Sequence, residues 1–401
     1  MPTRPRRKDP DMATDTRPPS SPGLPRSHAA VAPPASNDDP TTLLDRPEPP
    51  GRRAGRGAAR TAVVVALAIL VAVAGAGVAG VSYLQGRLEA GIERIGDPFT
   101  EIADRPVSTP RTVVEADGAA VTLPPPVNIL ILGSDSRISA GDPSSWTAGA
   151  QRTDAIMLAQ VSGDRKSLTI MSIPRDSWVP IPGHGTAKIN AAFSWGGPTL
   201  MIQTVEQLTG VRIDHFAVAD FESFSELTDE LGGVEIRLEQ PLAVDGVTLD
   251  EGTHLLDGAQ ALTYARERYN VPGGDFGRVQ RQQNWMRGIM RAIFDRDVLT
   301  DPARLMSTLE AVTRSLSLDD GLTIARMRDL AISARELRPD SVRFITAPYI
   351  GTGWSPDGKQ SIVLLDEPAL RTVTTAFAED RIGEYLAEHP AAAPALGGYV
   401  P

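Results

Sequence analysis

Polar and apolar positions divide the chain into unlike stretches. Residues 1–60 are rich in Pro, Arg, Asp and Ser with few large apolar side chains, a mixture that buries too little surface to offset chain entropy and so predicts disorder. Thr61–Leu84, "TAVVVALAILVAVAGAGVAGVSYL", runs 24 residues without a charge. At about 1.5 Å per residue that is enough for one helix to cross the roughly 30 Å hydrocarbon core of a bilayer. Its length and its distance from the amino end argue against a cleaved signal peptide. Residues 85–122 combine a short amphipathic piece with Pro, Thr and Asp and read as a stalk. Residues 123–387 carry the globular pattern, and 388–401 form a Pro-, Ala- and Gly-rich tail.

Inside 123–387, short aliphatic runs alternate with helical periods. "VNILILGSD", "TDAIMLAQV", "SLTIMSIP" and "VRIDHFAVAD" are strand-length and end at Gly, Pro or Asp. "KINAAFSWGGPTLMIQTVEQLTG" predicts helices around Gly196-Gly197-Pro198, and "FESFSELTDELGG" a helix stopped by glycines. "GVEIRL" is a further strand, and Asp245-Gly246 signals a hairpin. Asp257 and Gln260 have capping-box spacing for a helix ending near Arg266 and Arg268. After "YNVPGG", Asp275 is placed to cap a second helix with apolar positions Val279, Met286, Ile289, Met290 and Ile293. The alternation predicts an α/β domain, a mixed central sheet between two helical layers, preceded by one transmembrane helix.

Charge sets the orientation. Arg52, Arg53, Arg56 and Arg60 precede the span, whereas Arg87 beyond it is offset by Glu89, so the amino end is expected in the cytoplasm and the domain outside. The expected protein is single-pass in the plasma membrane. The whole chain carries a formal charge of -10, and residues 1–60 hold 11 Lys and Arg against 7 Asp and Glu. The exterior part is therefore more acidic than the whole, which argues against nucleic acid as a partner. With no cysteine, disulfides and thiolate chemistry are excluded.

Two motif matches carry no function. "GAGVAG" fits a dinucleotide glycine pattern but lies inside the predicted span, where small residues suit helix packing. "GWSPDGKQ" approaches a phosphate-binding loop but ends in Gln where Ser or Thr should stand.

More informative is "YARERYNVPGGDFGRVQRQQNWMRGIMR", six arginines in 28 residues of an acidic chain. Arg278, Arg281 and Gln282 fall in the first turns of the second helix and off its apolar stripe. A helix amino end with arginines can form an anion site; a solvated basic face is the competing reading. A second group sits at strand ends: Asp135 and Arg137 in "GSDSR", Arg152 and Asp154 in "QRTDAI", Arg175 and Asp176 in "SIPRDS". Ligands bind at strand ends of open α/β sheets, and paired aspartates among arginines suit a divalent cation bridging to phosphate oxygens. Ala191, Ala192, Phe193, Trp195, Met201, Val205, Phe216, Phe224 and Leu227 either line an apolar channel between helices and sheet or form plain core.

Together "NILILGSDSR", "RTDAIML", "LTIMSIPRDSWV", "KINAAFSWGG", "LDGAQALTYARER" and "DFGRVQRQQ" resemble the LytR-CpsA-Psr family of cell-envelope proteins. The resemblance covers Val127 to Arg291 and, more loosely, the chain to Ala387. It implies a phosphotransferase that moves a glycopolymer from a polyprenyl-pyrophosphate carrier to peptidoglycan through a phosphodiester. It also implies magnesium, with manganese as an alternative, on Asp135 and Asp154. Arg152, Arg175, Arg266, Arg268, Arg278 and Gln282 match its pyrophosphate-binding side chains, and Asp275 an acidic residue of the same cluster. The catalytic assignments are Asp135, Arg175 and Asp275, with Asp176 and Arg281 in supporting positions. A hydrolase of the same lipid, or a noncatalytic regulator of the transcription-attenuator kind, is the alternative. The Ala-, Arg- and Gly-rich usage points to an actinobacterium and to a wall glycan such as arabinogalactan.

Overall fold

The computed structural model describes residue 83 and residues 85–114, 118–134, 153–238, 241–244, 247–267, 274–293 and 301–393. Their centre is a seven-stranded sheet: β1 (Glu93–Gly96), β2 (Val127–Ser134), β3 (Thr153–Val161), β4 (Leu168–Ser172), β5 (His215–Asp220), β6 (Leu316–Asp319) and β7 (Val342–Thr346). In space they follow the order β1, β6, β5, β2, β3, β4, β7. β5 is parallel to β2, and β7 to β4, while β3 lies antiparallel between β2 and β4. Four strands, β2, β5, β4 and β7, therefore end at the same edge, where β3 begins.

Strand alternation builds the layers. Leu130 and Leu132 of β2 and Ile156 and Leu158 of β3 enter one core, while Met157, Ala159 and Ile131 face the other side, as the two-residue period of a strand requires. The first core is covered by α1 (Asn190–Thr209), α7 (Glu367–Ala378) and α8 (Ile382–Glu388). The opposite face carries α2 (Phe221–Glu230), α3 (Gly258–Arg266), α4 (Gly274–Ile293), α5 (Pro302–Arg314) and α6 (Ile324–Ser333). This is the expected mixed α/β arrangement, and β2 to β5 coincide with the four runs read as strands.

Local chemistry explains several boundaries. Asp257 accepts from the Gln260 N–H at 2.9 Å while Gln260 returns a bond to the Asp257 N–H, the predicted capping box. α1 is broken at Gly196 and at Gly197, whose φ of 62° suits glycine, just before Pro198. "GVEIRL" does form a strand, but Val234–Leu238 pairs with Gly252–Leu256 outside the central sheet. Leu242–Val244 pairs with Val247–Leu249 around the residues expected to make a hairpin turn. "GWSPDGKQ" closes another hairpin, Tyr349–Trp354 with Ser361–Leu365, and there Ser355 and Asp357 bond one another.

The stretch read as a stalk is largely built into the domain. β1 pairs with β6, Ile95 and Ile102 enter the first core, and Leu88 and Ile92 pack beneath β6. Arg105 grips Glu206 of α1 with Nη2 at 2.7 Å and Nε at 3.1 Å, a pair almost wholly out of solvent. Its few apolar residues, spaced irregularly between prolines, concealed this packing. Among the described residues no helix is long and apolar enough to cross a membrane. The charge-free stretch Thr61–Leu84 lies outside them apart from Tyr83.

Candidate anion site at the strand ends

β4 runs into Ile173-Pro174 and delivers Arg175 beyond the sheet edge. The segment is held there because Arg175 O accepts from the Asn190 N–H at 3.2 Å and Ser177 O from the Ile189 N–H at 2.8 Å, which tie it to the start of α1. Asp176 pairs with Lys188 at 2.9 Å and, less closely, with Arg175 at 3.6 Å. Asp176 O also accepts from the Val363 N–H at 2.9 Å. So Asp176 positions Arg175 on a loop that is stitched on two sides.

α4 brings the second group. Its Gln283 Nε2 donates to Ile345 O at 3.1 Å, and the Arg287 guanidinium lies 5.5 Å over the Phe344 ring. As α4 advances the contacts step back along β7, so its first turns, with Arg278, Arg281 and Gln282, extend toward the end of β7. That is the edge Arg175 also leaves. Trp285 fixes the helix from behind, donating Nε1 to Thr228 Oγ1 at 3.0 Å and meeting Phe224 edge-on.

Arg278 and Arg281 are 1 % and 0 % exposed, and Gln282 is buried as well. A solvated basic face is thereby ruled out. Arg281 Nη2 donates to Glu267 O at 2.6 Å, linking α4 to the end of α3. Burial lowers the Arg281 and Arg287 guanidinium pKa values and pushes the Tyr264 phenol up to about 12, against the Asn284 amide that donates to it at 3.0 Å. Cations held in such surroundings favour an anion arriving beside them. Arg281, read from sequence only as a supporting residue, is thus as deeply placed as Arg278. The signal was the spacing: Arg278, Arg281, Gln282, Trp285 and Ile289 recur at helical intervals on one face, with Trp285 as its apolar marker.

Other expected residues stand as follows. Arg266 is exposed at the end of α3. α4 begins at Gly274, so Asp275 is in its first turn rather than at its cap. Asp154 is the second residue of β3, and for it and Asp275 only the backbone is described. Asp135, Arg152 and Arg268 lie outside the described residues. Ser134 and Thr153 are register partners, and Ser134 also pairs with Asp220; the residues flanking Asp135 and Asp154 in sequence therefore share one sheet edge. A carboxylate from each of two such strands fits magnesium, which takes one or two carboxylates together with phosphate oxygens. Among the described residues no three metal-binding side chains cluster. The proposed lipid-channel residues separate: Phe193, Met201, Val205 and Phe216 belong to the core on one face of the sheet, Leu227 and Phe224 to the other. Trp195 is 44 % exposed and belongs to neither core, so the set does not line one channel.

The fold is a three-layer α/β domain with buried arginines on the helix that reaches its strand-end edge. The chain belongs to the LytR_cpsA_psr family, which matches residues 107–378. It is similar to the cell wall biosynthesis protein LcpA of Corynebacterium glutamicum, 31% identical over 67% of this chain and 57% of that protein. Regulatory protein MsrR of Staphylococcus aureus is 35% identical over 49% of this chain and 58% of its own length. The polyisoprenyl-teichoic acid–peptidoglycan teichoic acid transferase TagU of Enterococcus faecalis is 32% identical over 62% and 77%. The chain thus spans less than two thirds of LcpA and of MsrR. In fold it resembles the crystal structure of B. subtilis TagV, with a TM-score of 0.53 and 23% identity over 64% of this chain and 97% of that one.

Proposed function

We propose that this protein transfers a glycopolymer from a polyprenyl-pyrophosphate carrier to peptidoglycan, at the outer face of the plasma membrane and with magnesium held by Asp135 and Asp154. The observation that carries the reading is the burial of Arg278 and Arg281 at the strand-end edge that Arg175 also reaches. The names of LcpA and TagU, a wall biosynthesis protein and a teichoic acid transferase, support it.

In this reaction an acceptor hydroxyl oxygen attacks the phosphorus that bears the glycan. The bond from that phosphorus to the bridging oxygen breaks, leaving a polyprenyl phosphate and a new phosphodiester. The acceptor proton goes to Asp275, to Asp135 or to a phosphate oxygen. Magnesium, when bound, neutralises phosphate charge and orients the diphosphate. Arg175, Arg278 and Gln282 grip the diphosphate, Arg152, Arg266 and Arg268 complete the cradle, and Arg281 backs it. Charge-assisted hydrogen bonds contribute about 1.5–3 kcal/mol each, and those that strengthen as charge builds on the leaving phosphate accelerate the step. No nucleotide is consumed, since the donor pyrophosphate supplies the driving force.

The name of MsrR favours a regulatory reading for that protein, and water as acceptor would make this chain a hydrolase. One experiment separates all three. Full-length protein in detergent receives a short glycan on polyprenyl pyrophosphate, magnesium, and either water alone or a peptidoglycan fragment. A glycan–peptidoglycan conjugate that outpaces free glycan phosphate is the expected result. Release that ignores the acceptor replaces transfer by hydrolysis, and binding without release replaces both by regulation.

A further inference from the structure

At the opposite end of the central sheet lies a cavity of about 520 Å³, lined among others by Gln160, Lys166, Thr169, Arg343 and Asp380. β3 ends there and β4 and β7 begin there, so the nine residues of β3, about 3.3 Å each, separate it from the anion site. Its size falls within the range of small-molecule sites, about 300–1,000 Å³.

Three observations mark it as a built site rather than a surface dent. First, two side chains in its lining are almost fully buried yet incompletely bonded. Gln160 gives Nε2 to Asn128 Oδ1 and to Phe377 O, both at 2.8 Å. Those two bonds fix which way its amide points, and Oε1 then has no hydrogen-bond partner among the described residues. Thr169, its cross-strand neighbour, likewise leaves Oγ1 without one. Gln160 and Thr169 are each 1 % exposed, and a buried polar atom left unmatched is costly.

Second, the cations are unequally committed. Arg111 holds Glu384 through two bonds of 2.7 and 2.8 Å. Arg343, half-buried, and Lys166 make no ion pair among the described residues. Third, the backbone lies close against the cation in the lining: a Cβ on Gly383 would lie 3.1 Å from Arg343 Nη1. Asp380, 6 % exposed, holds φ at 55°, a conformation side-chain-bearing residues seldom adopt.

We infer that this cavity binds a small ligand that joins a carboxylate to N–H or O–H donors, with Arg343 and Lys166 taking the carboxylate and the donors turned toward Gln160 and Asp164. A guanidinium matches a planar carboxylate through paired bonds. The acids in the lining, Asp164, Asp380 and Glu384, offset the cations, so one ligand charge is accommodated and a doubly charged phosphate is opposed. A peptide end and a sugar acid both carry this chemistry. The inference does not depend on the transferase reading.

Isothermal titration of the full-length protein in detergent tests it with alanyl-alanine, its methyl ester, glucuronate and inorganic phosphate. The dipeptide or glucuronate binds at millimolar concentration or below, and whichever binds more tightly names the source. Arg343→Gln weakens that binding at least tenfold. Gly383→Val, which crowds the guanidinium, does the same, while both variants keep the far-ultraviolet circular dichroism of the parent. No heat from either acid, equal binding of ester and acid, equal binding of phosphate, or unchanged affinity in both folded variants each overturns it.

Discussion

Gln283 donates its amide to the Ile345 carbonyl at 3.1 Å, a buried bond that helps to hold α4 against the end of β7. Both groups are buried. Gln283→Leu removes the donor and strands the carbonyl, so stability in urea should fall by about 1–3 kcal/mol. Donor-lipid affinity should fall too, because the turns carrying Arg278 and Gln282 lose their seat. An unchanged midpoint would mean that α4 is held elsewhere.

The arginines should separate by burial. Arg278 is buried and partnered, so Arg278→Met should lower the melting temperature as well as weaken pyrophosphate-lipid binding by roughly 2–3 kcal/mol. Arg266 is exposed, and Arg266→Ala should weaken binding with the melting temperature nearly constant. Paired melting curves and lipid titrations check both.

For the metal, Asp154→Asn should abolish transfer at ordinary magnesium. The parent, stopped by chelator, should recover with magnesium or manganese. Full turnover of the Asn variant in chelator would remove Asp154 from the metal site.

Arg105 and Glu206 join the segment before β2 to α1. Breaking one member of a pair so nearly out of solvent leaves a buried charge, which costs about 3–5 kcal/mol. Arg105→Ala should therefore unfold at markedly lower denaturant than Arg111→Ala, whose partner Glu384 is largely exposed.

Asp380 adds a pH dependence. Burial pushes its carboxyl up to about 6, opposed by the Gly163 N–H bonds, Arg111 and Arg165 and assisted by Asp164. The folded state holds that proton more tightly than the unfolded chain. Its contribution is therefore full below about pH 4 and is lost as pH rises through about 6, a change on the order of 1–3 kcal/mol. Asp380→Asn, which still accepts from Gly163, should flatten stability across that window. Parallel pH-dependent slopes in both proteins would assign the titration elsewhere.

The elements that could be read from sequence were those with a local cause. β2 to β5 announced themselves as aliphatic runs, the start of α3 as Asp257 with Gln260, and the break in α1 as Gly-Gly-Pro. The role of residues 85–122 could not be read, since β1 is four residues long and gains its place only by pairing with β6, over two hundred positions away. Phe193 and Phe224 looked like one channel because apolar character does not say which face of a sheet a side chain will meet. In α4, spacing put Arg278 and Gln282 in the first turns, but their burial came with the docking of the helix, whose own Trp285 meets Thr228 and Phe224 of α2.

That burial also bears on the medium. On the proposed reading the domain works outside the cytosol and meets whatever salt its surroundings hold; at about 0.15 M, exposed charges are screened over about 8 Å. Arg266, being exposed, would act through that screening. Arg278 and Arg281 are buried, so a hold on an anion there should change less between dilute and briny water than one made by Arg266. A grip of that kind would persist without control of the ionic strength beyond the membrane.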